Sequence, residues 1–246
     1  MEMTLNFELR KQRRVPARPD EGSGSSAGQE LLAQLRLDIV NNLFAPEAKL
    51  KFADLTKRYG LGIGTLREAL SHLVSEGFVT LDSGRGFRVA PVSQADLIEI
   101  TEHYVDFEKR ALADAIRHGD DEWEAGIVAC YHRLNIIHEL PWEERMLRHG
   151  EWVERHREFH EALVAACEAR WLLRLRSLMF YQSERYRFLS KMSRNKNGSR
   201  KAIEHRAIME ATLARDTEKA TRLLERHIRE TAETVLANYE KHSKAS

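Results

Sequence analysis

Two cysteines in 246 residues, Cys130 and Cys167, are too few for a disulfide framework, and a reducing cytoplasm suits such a chain. Both sit among alanines or apolar residues, the setting of core fillers rather than nucleophiles. Long apolar runs are missing too. None approaches the roughly 20 residues that a bilayer-spanning helix needs, and the N-terminus has no apolar core of a secretory signal. A cytoplasmic protein with no membrane partner is the expectation. Net charge is close to nil: +1 overall, with eight Lys and Arg against seven Asp and Glu in residues 28–92. A strongly basic domain would have pointed to nucleic acid by itself. Here any such reading must rest on arrangement. Catalytic signatures are lacking as well: no glycine-rich phosphate cradle after a strand and no G-x-S-x-G elbow. Glu158 lies between His156 and His160 as His-x-Glu-x-His, outside the His-Glu-x-x-His slot of a zinc protease.

What is present is concentrated in residues 50–90. Leu55 lies on a first short helix, and Tyr59, Leu61 and Ile63 surround a glycine-rich turn. A second helix carries Leu66, Ala69, Leu70, Leu73 and Val74 at helical spacing, with Arg67, Ser71 and Ser75 on its polar face. Gly77 ends it. Strands at 78–81 and 87–90 flank the polar turn 82–86, a hairpin pattern. A helix-turn-helix with a basic hairpin beside it fits DNA, the helix in the major groove and the hairpin against the backbone.

These residues resemble the winged helix of the GntR superfamily of bacterial transcription regulators. The resemblance is carried by Leu-Arg-Glu-Ala-Leu (66–70), by Leu73 and the Glu76-Gly77-Phe78-Val79 continuation, and by Arg85-Gly86-Phe87-Arg88-Val89. It implies that Arg67 reads a base or a phosphate and that residues near Gly86 approach the minor groove. Lys51 and Lys57 would neutralise phosphates, Gly64 and Thr65 would meet the major groove with Arg67, and Arg85 to Arg88 would brace the wing. Many family members have a Ser-Arg-Thr-Pro-like run before the arginine; this chain has Gly62-Ile63-Gly64-Thr65, so a second basic contact near Ile63 is missing.

Three segments organise the chain. Residues 1–27 read as an irregular arm: Arg10, Lys11, Arg13, Arg14 and Arg18 cluster, and Pro16, Pro19 and the 22–26 run oppose regular structure. It is either a solvated tail or an arm touching DNA. Residues 28–92 are the winged helix, opened by a helix over about 29–44 that Ala45-Pro46 ends. Residues 93–246 read as helix nearly throughout, with Ser93 as N-cap and Asp96 completing an approximate capping box. Breaks fall at Gly119-Asp120, near Pro141, around Glu168 and at 195–199. The fold class is mainly α: a winged helix with a small β-hairpin, then an all-α antiparallel bundle.

Eleven histidines are many for this length. His156 and His160, four residues apart, share one helix face as two ligands of a metal must. His205 and His227 lie on later helices. Phe159-His160, Glu204-His205 and Arg226-His227 resemble the FadR-type C-terminal domain (FCD) that accompanies this winged helix. The resemblance implies a divalent metal, zinc or another first-row ion such as nickel, held by His156, His160, His205 and His227, with His156 standing where most of the family has aspartate. It further implies a small carboxylate effector bound against that metal. Carboxylates need guanidinium-type donors, and Arg176, Arg185, Tyr186 and Arg187 on the intervening helix are the candidates. The position four before Glu108, often arginine in the family, is Tyr104 here.

The expectation is a dimeric, ligand-responsive repressor on a pseudo-palindromic double-stranded operator. Two alternatives stay open: a metal-dependent enzyme using the histidines, and a DNA-binding dimer that senses nothing.

Overall fold

The hydrophobic stripe of residues 31–39 and that of residues 66–73 close on each other to start the N-terminal core. The computed structural model describes residues 23–82, 84, 86–190 and 198–243. Helix α1 (Ser23–Val40) packs Leu31, Leu35 and Ile39 against Leu66, Leu70 and Leu73 of α3 (Ile63–Ser75), and α2 (Phe52–Tyr59) adds Leu55. Helix α3 ends in a Schellman arrangement. Gly77 takes φ 77°, its amide donates to the Val74 carbonyl, and the Phe78 amide donates to the Leu73 carbonyl. A left-handed residue there favours glycine, and Phe78 returns into the core. Strands β2 (Val79–Asp82) and β3 (Gly86–Val89) form the wing.

Three local expectations are corrected. The sheet has a third strand, β1 (Lys49–Leu50), pairing antiparallel with β3 in the order β1-β3-β2. Helix α1 stops at Val40 rather than near 44, because Asn42 turns left-handed at φ 55° and redirects the chain. It also starts at Ser23, inside the segment expected to be irregular; residues 1–22 lie outside the described residues.

The rest is helical: α4 (Gln94–His118), α5 (Asp121–His138), α6 (Trp142–Leu147), α7 (His149–Leu163), α8 (Arg170–Ser190), α9 (Gly198–Leu213) and α10 (Thr217–Ser243). Ser93 caps α4 by accepting from the Asp96 amide at 3.1 Å, and Asp120 caps α5 by accepting from the Trp123 amide at 2.9 Å. Helix α4 lies along α8 and α10, and α5 along α7 and α9, around a core that includes Leu112, Ile127, Leu134, Phe159 and Leu224. Among the described residues, no helix is long and apolar enough to cross a membrane. Helix α8 also packs against α1, so one helix touches both the bundle core and the winged helix.

Candidate metal centre and nucleic-acid face

Four imidazoles meet inside the bundle. Helix α7 supplies His156 and His160 from successive turns, α9 supplies His205 and α10 supplies His227, and all four are buried. One nitrogen from each can be chosen so that all lie within 4.8 Å of one another. Among the described residues, both nitrogens of His160, Nε2 of His205 and Nε2 of His227 are buried without a hydrogen-bond partner. An unsatisfied buried polar atom costs roughly 1–3 kcal/mol, so these three rings, each offering an orphaned nitrogen to the cluster, form an arrangement that a shared ligand would relieve. Burial holds every ring neutral. It pushes His227 down to about 4 and takes His156, His160 and His205 well below the ordinary imidazole range, with Arg187 adding to the effect on His156. Neutral rings keep their lone pairs. The donor set therefore fits a first-row divalent cation.

The surrounding shell contains residues that sequence reasoning passed over. Glu204 accepts from Nδ1 of His227 at 2.8 Å, which turns the other nitrogen of that ring inward. Lys201 donates to the same Glu204 oxygen at 2.7 Å, and these bonds outweigh burial to bring the Glu204 carboxyl down to about 2. A fifth buried histidine, His138 at the end of α5, places Nε2 3.2 Å from Nδ1 of His205. Trp152 stacks on His156 at 4.9 Å between ring centres. The signal for His138 was present. It continues the spacing of Ile127, Tyr131 and Leu134, so it had to lie on the buried side of its helix.

The four effector candidates on α8 divide by face. Arg176 and Arg187 are eleven residues apart, about three turns, and point to the same side. Arg187 brings Nη1 to 2.9 Å from Nε2 of His156 and pairs with Glu184 at 3.0 Å. Arg176 is buried, donates to Glu108 at 2.7 Å and to the His160 carbonyl at 3.0 Å, and so supports the backbone of a candidate ligand. Burial and the Glu108 charge keep the hydroxyl of neighbouring Tyr104 well above its ordinary range, hence neutral.

Arg185 and Tyr186 are not brought to the histidines; the structure places them at the junction of the two domains. Arg185 stands nine residues from Arg176, about two and a half turns, and therefore faces the other way. It donates to the Ala90 carbonyl at 2.8 Å and to Gln182 Oε1 at 3.0 Å, and its guanidinium lies over the Phe78 ring. Gln182 donates to the Glu76 carbonyl at 2.7 Å. Tyr186 donates to Asp96 and accepts from the Ser93 amide, fixing the start of α4 where the linker enters the bundle. Arg36 of α1 pairs with Glu76 at 2.8 Å and lies over Tyr181 of α8.

On the winged helix, Lys51, Lys57, Gly64 and Arg67 are exposed and Thr65 is half-buried. Arg67 lies with its guanidinium 5.4 Å from the centre of the Phe52 ring. Gly86 takes φ 93° at the start of β3. Arg88 turns back on the hairpin, 3.6 Å from Asp82 and donating to the Glu47 carbonyl at 3.1 Å. Arg85 lies outside the described residues.

Residues 27–89 match the family described as bacterial regulatory proteins, gntR family, and residues 99–230 match the FCD domain. The chain is 38% identical over 202 residues to the HTH-type transcriptional repressor GlaR of Escherichia coli K12, an alignment covering 79% of this chain and 89% of that protein. It is 39% identical over 195 residues to the HTH-type transcriptional regulator BphR of Paraburkholderia xenovorans LB400, covering 79% of each. Among solved structures, E. coli McbR/YncC superposes with a TM-score of 0.74 at 18% identity, covering 87% of this chain and 98% of that one. That last likeness is one of fold.

Proposed function

The chain belongs to the GntR family and carries an FCD domain, and from that premise we propose that this DNA-binding transcriptional regulator is a dimeric, metal-containing repressor whose bundle senses a small carboxylate. His156, His160, His205 and His227 would hold the metal, with His138 and Glu204 orienting two of the rings from outside. The ion, when bound, supplies a Lewis-acidic position to which an anionic effector can attach. Arg187 is the cation placed to meet that effector's charge, since its guanidinium already lies on the His156 ring.

One observation carries the regulatory part: the two working faces of α8. Arg176 and Arg187 touch the histidine centre on one side. Gln182 and Arg185 hold the Glu76 and Ala90 carbonyls of the winged helix on the other. An effector can shift DNA affinity only if it binds two inter-domain arrangements unequally. A change in the position of Arg187 would reach the linker at residues 90–93 through the rigid body of this helix. On DNA, Arg67 would enter the major groove and Lys51 and Lys57 would neutralise phosphates. A two-fold dimer would require a pseudo-palindromic site. The name of the relative GlaR supports repression.

The test is binding to duplex DNA taken from upstream of the protein's own gene, by fluorescence anisotropy at one salt concentration, because the phosphate term alone can imitate affinity. Wild type should bind that duplex and not a scrambled one. Arg67→Ala should lose the preference with an unchanged melting temperature. Retained specificity in Arg67→Ala would remove α3 as the reading helix. In parallel, elemental analysis of His160→Ala should show loss of bound metal; equal metal in mutant and wild type would remove the histidine centre.

A further inference from the structure

The first residue of the reading helix is an isoleucine with 53% of its surface exposed. Ile63 stands between Gly62 and Gly64, and at neither glycine would an added Cβ meet a heavy atom within 4 Å. The tip of α3 is therefore bare on both sides of one branched apolar side chain. Single exposed apolar residues are common on protein surfaces, but this one occupies the end of α3 that a docked recognition helix directs at base edges. Arg67, four residues on, shares its face of the helix. Phe52 sits beneath that arginine and is itself packed edge-on against the buried Phe87 of β3, 6.0 Å between ring centres. The helix thus presents an apolar knob and, one turn later, a cation carried on an aromatic platform.

A knob without hydrogen-bonding groups cannot read the donor and acceptor pattern of a base pair. The feature of the major groove that matches it is the C5 methyl group of thymine. The flanking glycines let the helix end come close enough for that contact, since neither carries a side chain of its own. We propose that Ile63 is a specificity-determining residue that selects thymine through its methyl group at one position of each half-site. This rests on α3 being the reading helix.

The experiment uses full-length protein and a duplex that the wild type has selected from a randomised pool. Each thymine is replaced singly by deoxyuridine, which removes the methyl group and keeps the base pairing. Wild type should lose about fourfold in affinity at one thymine per half-site, the worth of about one methyl-sized group removed from water. Ile63→Ala should bind the parent duplex more weakly by a similar factor and be indifferent to that same deoxyuridine, because both changes delete one contact. Leu81→Ala, which trims an exposed leucine of the wing, should keep the deoxyuridine penalty. A wild type indifferent to every deoxyuridine, or an Ile63→Ala protein that retains the penalty, would overturn the assignment. Arg67→Ala separates the two levels. If it binds the selected duplex as wild type does, the reading helix is wrong. If it fails while wild type ignores deoxyuridine, only the role of Ile63 falls.

Discussion

Arg176 and Glu108 form an ion pair closed off from water, at 4% and 1% side-chain exposure. Such a pair is costly to split, because removing one member strands the other charge in a low-dielectric interior. Glu108→Gln should therefore lower the unfolding free energy by about 3–5 kcal/mol in urea denaturation, well above a typical surface substitution. A loss below about 1 kcal/mol would mean that water reaches the Arg176 guanidinium. His138 makes a different demand. Its contact with Nδ1 of His205 settles which nitrogen of that ring faces the centre. Replacing it with phenylalanine keeps the volume and removes the bond. Zinc affinity, measured by chelator competition, should fall about 10- to 100-fold, and His138→Gln should recover part of it. Unchanged affinity in His138→Phe would leave His138 as packing alone.

At the scale of elements, α8 is the informative helix, and it shows where sequence reading ends. The winged helix was legible because its signals are local: the 3.6-residue stripe of Leu66, Leu70 and Leu73, and a glycine where a left-handed turn follows. His156 and His160 were legible for the same reason, since a spacing of four puts them on one face whatever packs against it. Strand β1 was not, because two residues have no period and exist as a strand only through pairing with β3. The arginines of α8 were found as a group but not sorted. Sorting needs the rotation of the helix, which is set by packing against α4, α10 and α1 rather than by its own sequence. The consequence is testable. Arg185→Ala removes the donor to the Ala90 carbonyl but leaves the histidines alone. Scanning calorimetry should then show two transitions, winged helix and bundle, where wild type shows one, with metal content unchanged. One cooperative transition in the variant would mean that Gln182 and the Arg36–Glu76 pair suffice to hold the domains together.

For the molecule as a whole, the proposed function makes metal, effector and DNA three ligands of one equilibrium. A cation that binds only the folded bundle stabilises it by mass action, about 2.7 kcal/mol at a free concentration one hundred times its dissociation constant. Chelation should therefore lower the melting temperature of wild type and leave that of His160→Ala where it is; equal shifts in both proteins would place the metal elsewhere. The coupling is also reciprocal, so a metal centre that changes DNA affinity must have its own affinity changed by DNA to the same factor. The most direct measurement is the affinity of wild type and Arg185→Ala for the native duplex at a single salt concentration, zinc-loaded and chelated. Coupling of the usual 1–3 kcal/mol separates the two wild-type curves by about fivefold or more, and in Arg185→Ala they should draw together. Superimposed wild-type curves would contradict a sensing bundle and leave it a dimerisation module with a structural metal.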